Sequence, residues 1–238
     1  MLKYLTVVWN GQWFKWENRN TNFLYGGPDG GPTHDAPQNG YLNRSRVSLD
    51  YIPRDNNHPY RPAIIFRMAE AYLSYAEALN ECSERMSYEQ EILNNLNKIR
   101  HRAGIAEYGT GTDENGFTRI KINFADQKEV RRLIHKERRV EFVGEGIRYH
   151  DLRRWKTAHY GIGNMNEQGE NPDWGVNGPD HGMNYYGTEY TDQGDNAFFK
   201  RTKYMDRVYP RKFYWYPIHQ SEIDKDPTLV QGPFWLGE

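Results

Sequence analysis

Residues 135–155 read HKERRVEFVGEGIRYHDLRRW, a run in which glutamates and arginines alternate over two apolar stretches. On a helix, Arg138, Glu141, Glu145 and Arg148 follow one another at intervals of three, four and three residues, so they share a face. Glu137 interrupts the apolar stripe between Leu133 and Val140. A carboxylate on a buried stripe needs a cation beside it, and the arginines of the same run supply planar forks that stay charged. Glu137, Glu141 and Glu145 also form the alternative reading, the acid and nucleophile of a glycoside hydrolase, which works with a carboxylate pair. That chemistry ordinarily draws its carboxylates from separate elements facing a cleft. One arginine-rich helix reads instead as structural ion pairing.

The helix that carries this run is predicted over about 126–147, with Asp126 as N-cap and Glu129 at the capping-box position. Val130, Leu133, Ile134, Val140, Val143 and Ile147 make its apolar face. Upstream, Ile64, Ile65, Met68, Tyr72, Leu73, Ala76 and Leu79 predict a helix over about 62–82, with Pro62 suited to its first turn. Tyr88, Ile92, Leu96, Ile99 and Ala103 predict another over about 88–103, stopped by Gly104. The short turn between them makes a helical hairpin in which Ala69, Ala76 and Ala78 allow close approach. The pair is like one tetratricopeptide unit, although the ~34-residue period does not recur along the chain. One hairpin cannot bury both faces, so it requires partners from elsewhere.

The flanks are different in kind. Residues 10–60 are rich in Gly, Asn, Pro and Asp, densest at Gly26-Gly27-Pro28-Asp29-Gly30-Gly31-Pro32, and show no lasting period. A glycine-rich loop is predicted over 157–197, a length that is usually functional or disordered. The expected organisation is a loop-rich segment 1–60 that forms part of a ligand-binding region, followed by a region 61–238. The expected fold is mainly α: tetratricopeptide-like hairpins with long irregular loops and few short strands.

Lys plus Arg number 31 against 32 for Asp plus Glu in the 238 residues, a balance that leaves no electrostatic footprint for nucleic acid or an anionic membrane. The chain holds 18 Tyr, 7 Trp and 10 Phe at a mean hydropathy of −0.97. Rings are plentiful where aliphatic residues are scarce, which fits a ring-packed core or exposed stacking surfaces. No apolar run approaches the ~20 residues of a membrane span. Cys82 is the single cysteine. His135 and His150 do not have the spacing of a helical zinc pair, and CxxC, GxSxG, GxGxxG and P-loop patterns are absent. Asp113-Glu114-Asn115-Gly116 matches part of a calcium loop without the ligand ladder that follows, and a calcium ion in the acidic 164–196 loop is weakly signalled. No other cofactor is expected, and no catalysis. What does suggest a site is aromatic density on loops: Trp9, Trp13, Trp16 and Tyr25 on the first, Trp174, Tyr185 and Tyr186 on the second. Sugar rings stack on such side chains while their hydroxyls bond to Asn, Asp and Gln. Peptides dock on them too, and each ring has the alternative role of core anchor.

Four blocks carry a family resemblance: RMAEAYLSYAEALNE (67–81), ILNNLNKIRHRAGI (92–105), IHKERRVEFVGEGIRYHDLRRW (134–155) and FYWYPIHQSEIDKDPTLVQGPFW (213–235). In order and spacing they resemble the C-terminal half of the SusD/RagB family. The resemblance implies a non-catalytic, lipid-anchored nutrient-binding protein on the outer-membrane surface of Bacteroidetes. It implies a TonB-dependent, SusC-like transporter as partner, glycans as ligand, and peptides in the RagB-like branch. Membrane association would run only through a lipid anchor outside this sequence, which is expected to be a C-terminal portion of a longer protein. His219, Asp226 and Gly232-Pro233-Phe234 depart from the usual last block, which alters local turn chemistry. The family's ligand residues vary with substrate, so the resemblance assigns none here.

Overall fold

A computed structural model describes residues 6–15, 17–45, 47, 59–60, 63–161 and 175–235. Three helices build the centre: α1 (Met68–Glu81), α2 (Glu89–Ala103) and α3 (Gln127–Glu141), with α1 packed on both of the others. Leu73, Ala76, Ile92, Leu96, Val130 and Ile134 are sealed from solvent between them, and Tyr108, Phe124 and Phe142 join the same buried cluster. Full burial of each Leu or Ile contributes about 1.5–3 kcal/mol relative to exposure. A short α4 (Ile147–Arg154) and α5 (Gln220–Lys225) follow. Among the described residues no helix is long and apolar enough to cross a membrane.

The strands are short antiparallel pairs on the periphery. β1 (Val7–Trp9) pairs with β4 (Tyr41–Asn43), and β2 (Trp13–Phe14) with β3 (Arg19–Asn20). β5 (Gly178–Gly182) pairs with β6 (Thr202–Arg207) through a bulge at Asp180/His181. The mainly helical fold with few short strands agrees with the expectation from sequence.

Capping at two helix ends follows the sequence. The Asp126 carboxylate accepts from the amides of Lys128 and Glu129. Gly104, at φ 66°, ends α2 while its amide bonds back to His101 and the Ile105 amide to Arg100. The first helix, however, begins at Met68, not near Pro62, which lies outside the described residues. Residues 63–67 are not helical: Ile64, Ile65 and Phe66 are exposed, and Arg67 is extended. The guanidinium of Arg67 reaches across to Glu141 and Glu145, which fixes where the chain turns into the helix.

The helix predicted over 126–147 is two helices. α3 stops at Glu141, and Gly144 and Gly146 both adopt left-handed φ (79° and 83°) before α4 starts. Val143, past the end of α3, faces solvent, and so does Val140 within it, while His135, Glu137, Arg138 and Glu141 are buried on the inner face. The expected loop 157–197 likewise contains β5, whose GPDHG sequence lacks any apolar alternation. Backbone pairing and the Asp180–Arg207 ion pair hold it.

Candidate ligand-binding site

The glutamates of residues 135–155 are clasped by arginines, not poised. Arg67 donates from Nε and Nη2 to Glu145 (2.9 and 2.6 Å), from Nη2 to the Glu141 carbonyl (2.9 Å) and from Nη1 to the Glu141 carboxylate, which Arg102 also grips. Glu137 sits between Arg100 and the Tyr108 hydroxyl, the latter donating at 2.8 Å. Burial first, and the Glu137 charge second, push the Tyr108 phenol far above its ordinary range. With Glu137 only 6% and Glu141 3% exposed, neither can meet a glycosidic oxygen. The hydrolase alternative thereby loses its carboxylate pair. The turn at Asp113 is closed in the same way: its carboxylate accepts the amides of Glu107, Asn115 and Phe117, as a turn organiser does.

Of the aromatic residues singled out by sequence, the fold brings three together from the two loop regions. Tyr25 lies 6.1 Å from Tyr185 and 5.6 Å from Tyr186, ring centre to ring centre, and Tyr185 and Tyr186 are 5.1 Å apart, edge to face. The Tyr25 amide donates to the Gly187 carbonyl (2.8 Å), which pins one loop to the other. Asn184 shapes the turn beneath, donating to the Asp195 and Ala197 carbonyls and accepting from the Tyr186 amide. Tyr185 covers Gly31, where a Cβ would fall 2.6 Å from the ring, and Tyr186 is 71% exposed. Tyr190, beside them, reaches the Asn10 carbonyl at 3.4 Å. Trp9 is half-buried on β1 and Trp13 is exposed on β2. Trp16 and Trp174 lie outside the described residues.

The sequence reading missed a second feature. A cavity of about 860 Å³ opens between α4, the residues just after it and the tail, with the rings of Trp155, Tyr160, Tyr214, Trp215 and Phe234 in its wall. The remaining lining is His150, Arg153, Arg154, Lys156, His159 and Arg211. No carboxylate lines it among the described residues. A second groove of about 940 Å³ along α2 has mixed charge, with Glu89, Glu107 and Glu114 beside Lys98, Arg119 and Lys121. The arginines of 135–155 and the FYWY run (213–216) are each visible in the sequence, but they belong to separate blocks far apart along the chain.

A helical-hairpin core that holds irregular loops, with aromatic side chains gathered where two of those loops meet, sets the chain apart from α/β folds and from bare helical repeats. The chain belongs to the SusD family, whose model matches residues 3–235. It is 35% identical over 109 residues to a SusD-like protein of Formosa agariphila, covering 46% of this chain and 18% of that one. Its fold superimposes on a SusD-like protein of Bacteroides fragilis with a TM-score of 0.66 at 25% identity, over 98% of this chain and 38% of the other. A SusD-like carbohydrate-binding protein of the same organism gives a TM-score of 0.59 at 23% identity, over 94% of this chain and 40% of that one. The chain thus spans well under half the length of these relatives.

Proposed function

We propose that the chain captures oligosaccharides without chemically altering them and passes them to a TonB-dependent, SusC-like transporter. It would work at the outer cell surface, held there by a lipid anchor. The observation that carries the binding reading is the Tyr25–Tyr185–Tyr186 group, a cluster of rings at the junction of two loops with one face open to solvent. Such rings stack on the apolar faces of sugars at low entropic cost, because each has few rotatable bonds. Membership of the SusD family and the carbohydrate-binding description of one structural neighbour support the choice of ligand. The arginine clasp on Glu137, Glu141 and Glu145 supports a non-catalytic role.

The test is titration calorimetry of the purified chain against a panel of neutral oligosaccharides and short peptides. Tyr186→Ala is expected to weaken the best oligosaccharide roughly tenfold, the scale of one lost stacking contact, with no release of reducing sugar from any ligand. Undiminished affinity in Tyr186→Ala and Tyr25→Ala would remove the cluster as the site. Selective binding of peptides would move the protein to the peptide-binding branch of the architecture.

A further inference from the structure

We propose that the cavity between α4 and the tail is a subsite for the acidic group of an anionic oligosaccharide, a carboxylate or sulfate ester carried on a sugar ring. It rests on the carbohydrate reading above and adds a charge requirement at a place distinct from the tyrosine cluster.

Three observations converge. The first is a surplus of positive charge. Arg154 is neutralised by bidentate pairing with Glu77 and by Asp151. Arg153 instead donates only to uncharged oxygens, the Tyr149 and Tyr216 hydroxyls (3.2 and 3.1 Å) and the Tyr214 carbonyl (2.7 Å), so its charge is uncompensated by them. Lys156 lines the same cavity, and no carboxylate does among the described residues.

The second is where Lys156 sits. The Lys156 amide donates to the Arg153 carbonyl (3.1 Å) and the Thr157 amide to Leu152 (3.0 Å), which is the hydrogen-bond pair that ends a helix in a left-handed residue. α2 ends in the same pair, with the Gly104 amide to His101 (3.0 Å) and Ile105 to Arg100 (3.2 Å), and there the left-handed residue is glycine. In α4 the position has φ 56° and bears a lysine. The left-handed position, which glycine would occupy without strain, here carries a lysine that lines the cavity.

The third is the wall opposite. Trp215 and Phe234 lie 5.8 Å apart, and Trp235 holds the two segments together by donating from Nε1 to the Lys212 and Trp215 carbonyls (3.0 and 3.1 Å). A sugar ring stacked on this wall would present an acidic substituent to Lys156 and Arg153, where charge-assisted hydrogen bonds are strongest.

The experiment titrates the chain with tetragalacturonate, a carrageenan tetrasaccharide sulfate, neutral cellotetraose and tetraglutamate, at low and high salt, in wild type, Lys156→Gly and Arg153→Gln. Lys156→Gly is expected to raise the Tm, because glycine suits the left-handed position, while weakening the acidic sugars roughly tenfold, the loss of one charge-assisted bond. The wild-type preference for acidic over neutral sugar should shrink with salt. A loss confined to one of the two acidic sugars identifies its acid as the group the subsite takes. Unchanged acidic-sugar affinity in a stabilised Lys156→Gly overturns the proposal, and cellotetraose binding that remains sensitive to Tyr186→Ala would leave the carbohydrate reading standing. Preference for tetraglutamate over both acidic sugars, lost in Lys156→Gly, overturns it in favour of an acidic peptide. No affinity for any of the sugars removes both readings.

Discussion

Arg138 and Asp151 join α3 to α4 across the two-glycine break: Nε and Nη2 each donate at 2.9 Å to one oxygen of the same carboxylate, and both side chains are almost fully buried. Arg138 also donates to Ser74 on α1 at 3.0 Å, so one guanidinium ties three helices. Removing Arg138 would leave the buried Asp151 carboxylate with only the half-exposed Arg154 (2.9 Å) as its cation, whereas removing both members of the buried pair can be nearly neutral. Arg138→Met is therefore expected to lower stability by about 3 kcal/mol, and Arg138→Met with Asp151→Leu to recover most of that loss. Urea unfolding reads both; a single variant within about 1 kcal/mol of wild type would mean the pair holds nothing together.

A second buried group sets a pH dependence. His135 is stacked face to face on Trp155 at 3.4 Å, and burial, helped by the nearby Arg154 and Arg131 charges, lowers its pKa to about 3. The unfolded chain takes up the proton near pH 6.5 while the folded protein resists until about 3. The contribution of His135 is thus complete above pH 6.5 and declines as pH falls through that window. The slope can reach about 1.4 kcal/mol per pH unit. His135→Phe, which keeps a ring against Trp155, should show a flatter fall in Tm between pH 7 and 5. Parallel profiles in the two proteins would rule the mechanism out.

What could be read in the sequence was whatever repeats with a local period or closes a local turn. Ile92, Leu96 and Ile99 lie where the helical stripe puts them, Asp126 caps α3 and Gly104 ends α2. The errors share a cause. Val143 continues the stripe in sequence but lies beyond the end of α3, before the left-handed Gly144 and Gly146, and Val140 falls inside α3 on the flank away from the buried Ile134, Glu137, Arg138 and Glu141. Ile64 and Ile65 extend the stripe upstream, but Arg67 is held by Glu145, 78 residues away, a constraint with no periodic trace. The tyrosine cluster was half legible: each ring could be named from loop composition, but only the fold could pair Tyr25 with Tyr185. The cation-lined cavity had no local signature, because its two walls come from separate blocks.

The glycine break itself makes a comparison of two neighbours. Gly146 at φ 83° has open space where a Cβ would go, so Gly146→Ala bears only the left-handed penalty of about 1 kcal/mol. A Cβ on Gly144 would lie 2.3 Å from the Asn43 amide nitrogen and 2.6 Å from the Ser45 hydroxyl. Those two side chains cannot swing away freely, since Asn43 Oδ1 accepts from both the amide and the hydroxyl of Ser45 (2.9 and 2.8 Å). Gly144→Ala is expected to cost at least about 1 kcal/mol more than Gly146→Ala. Equal midpoints in denaturant would show that β4 and the break between α3 and α4 do not depend on that approach.

Tyr185 and Tyr186 are adjacent in sequence and should separate cleanly by experiment. Tyr185 is half-buried, lies over Gly31 and meets both other rings edge to face, so its ring is part of the packing that holds the two loops in register. Tyr185→Ala is expected to lower stability by roughly 1–2 kcal/mol and to weaken oligosaccharide binding as a consequence of the loosened loops. Tyr186, at 71% exposure, has little packing to lose, so Tyr186→Ala should stay within about 0.5 kcal/mol of wild type while losing affinity for the sugar. Unfolding midpoints and binding isotherms on the two variants distinguish platform from support. A Tyr186→Ala variant as destabilised as Tyr185→Ala would make both rings structural and leave the ligand to stack elsewhere.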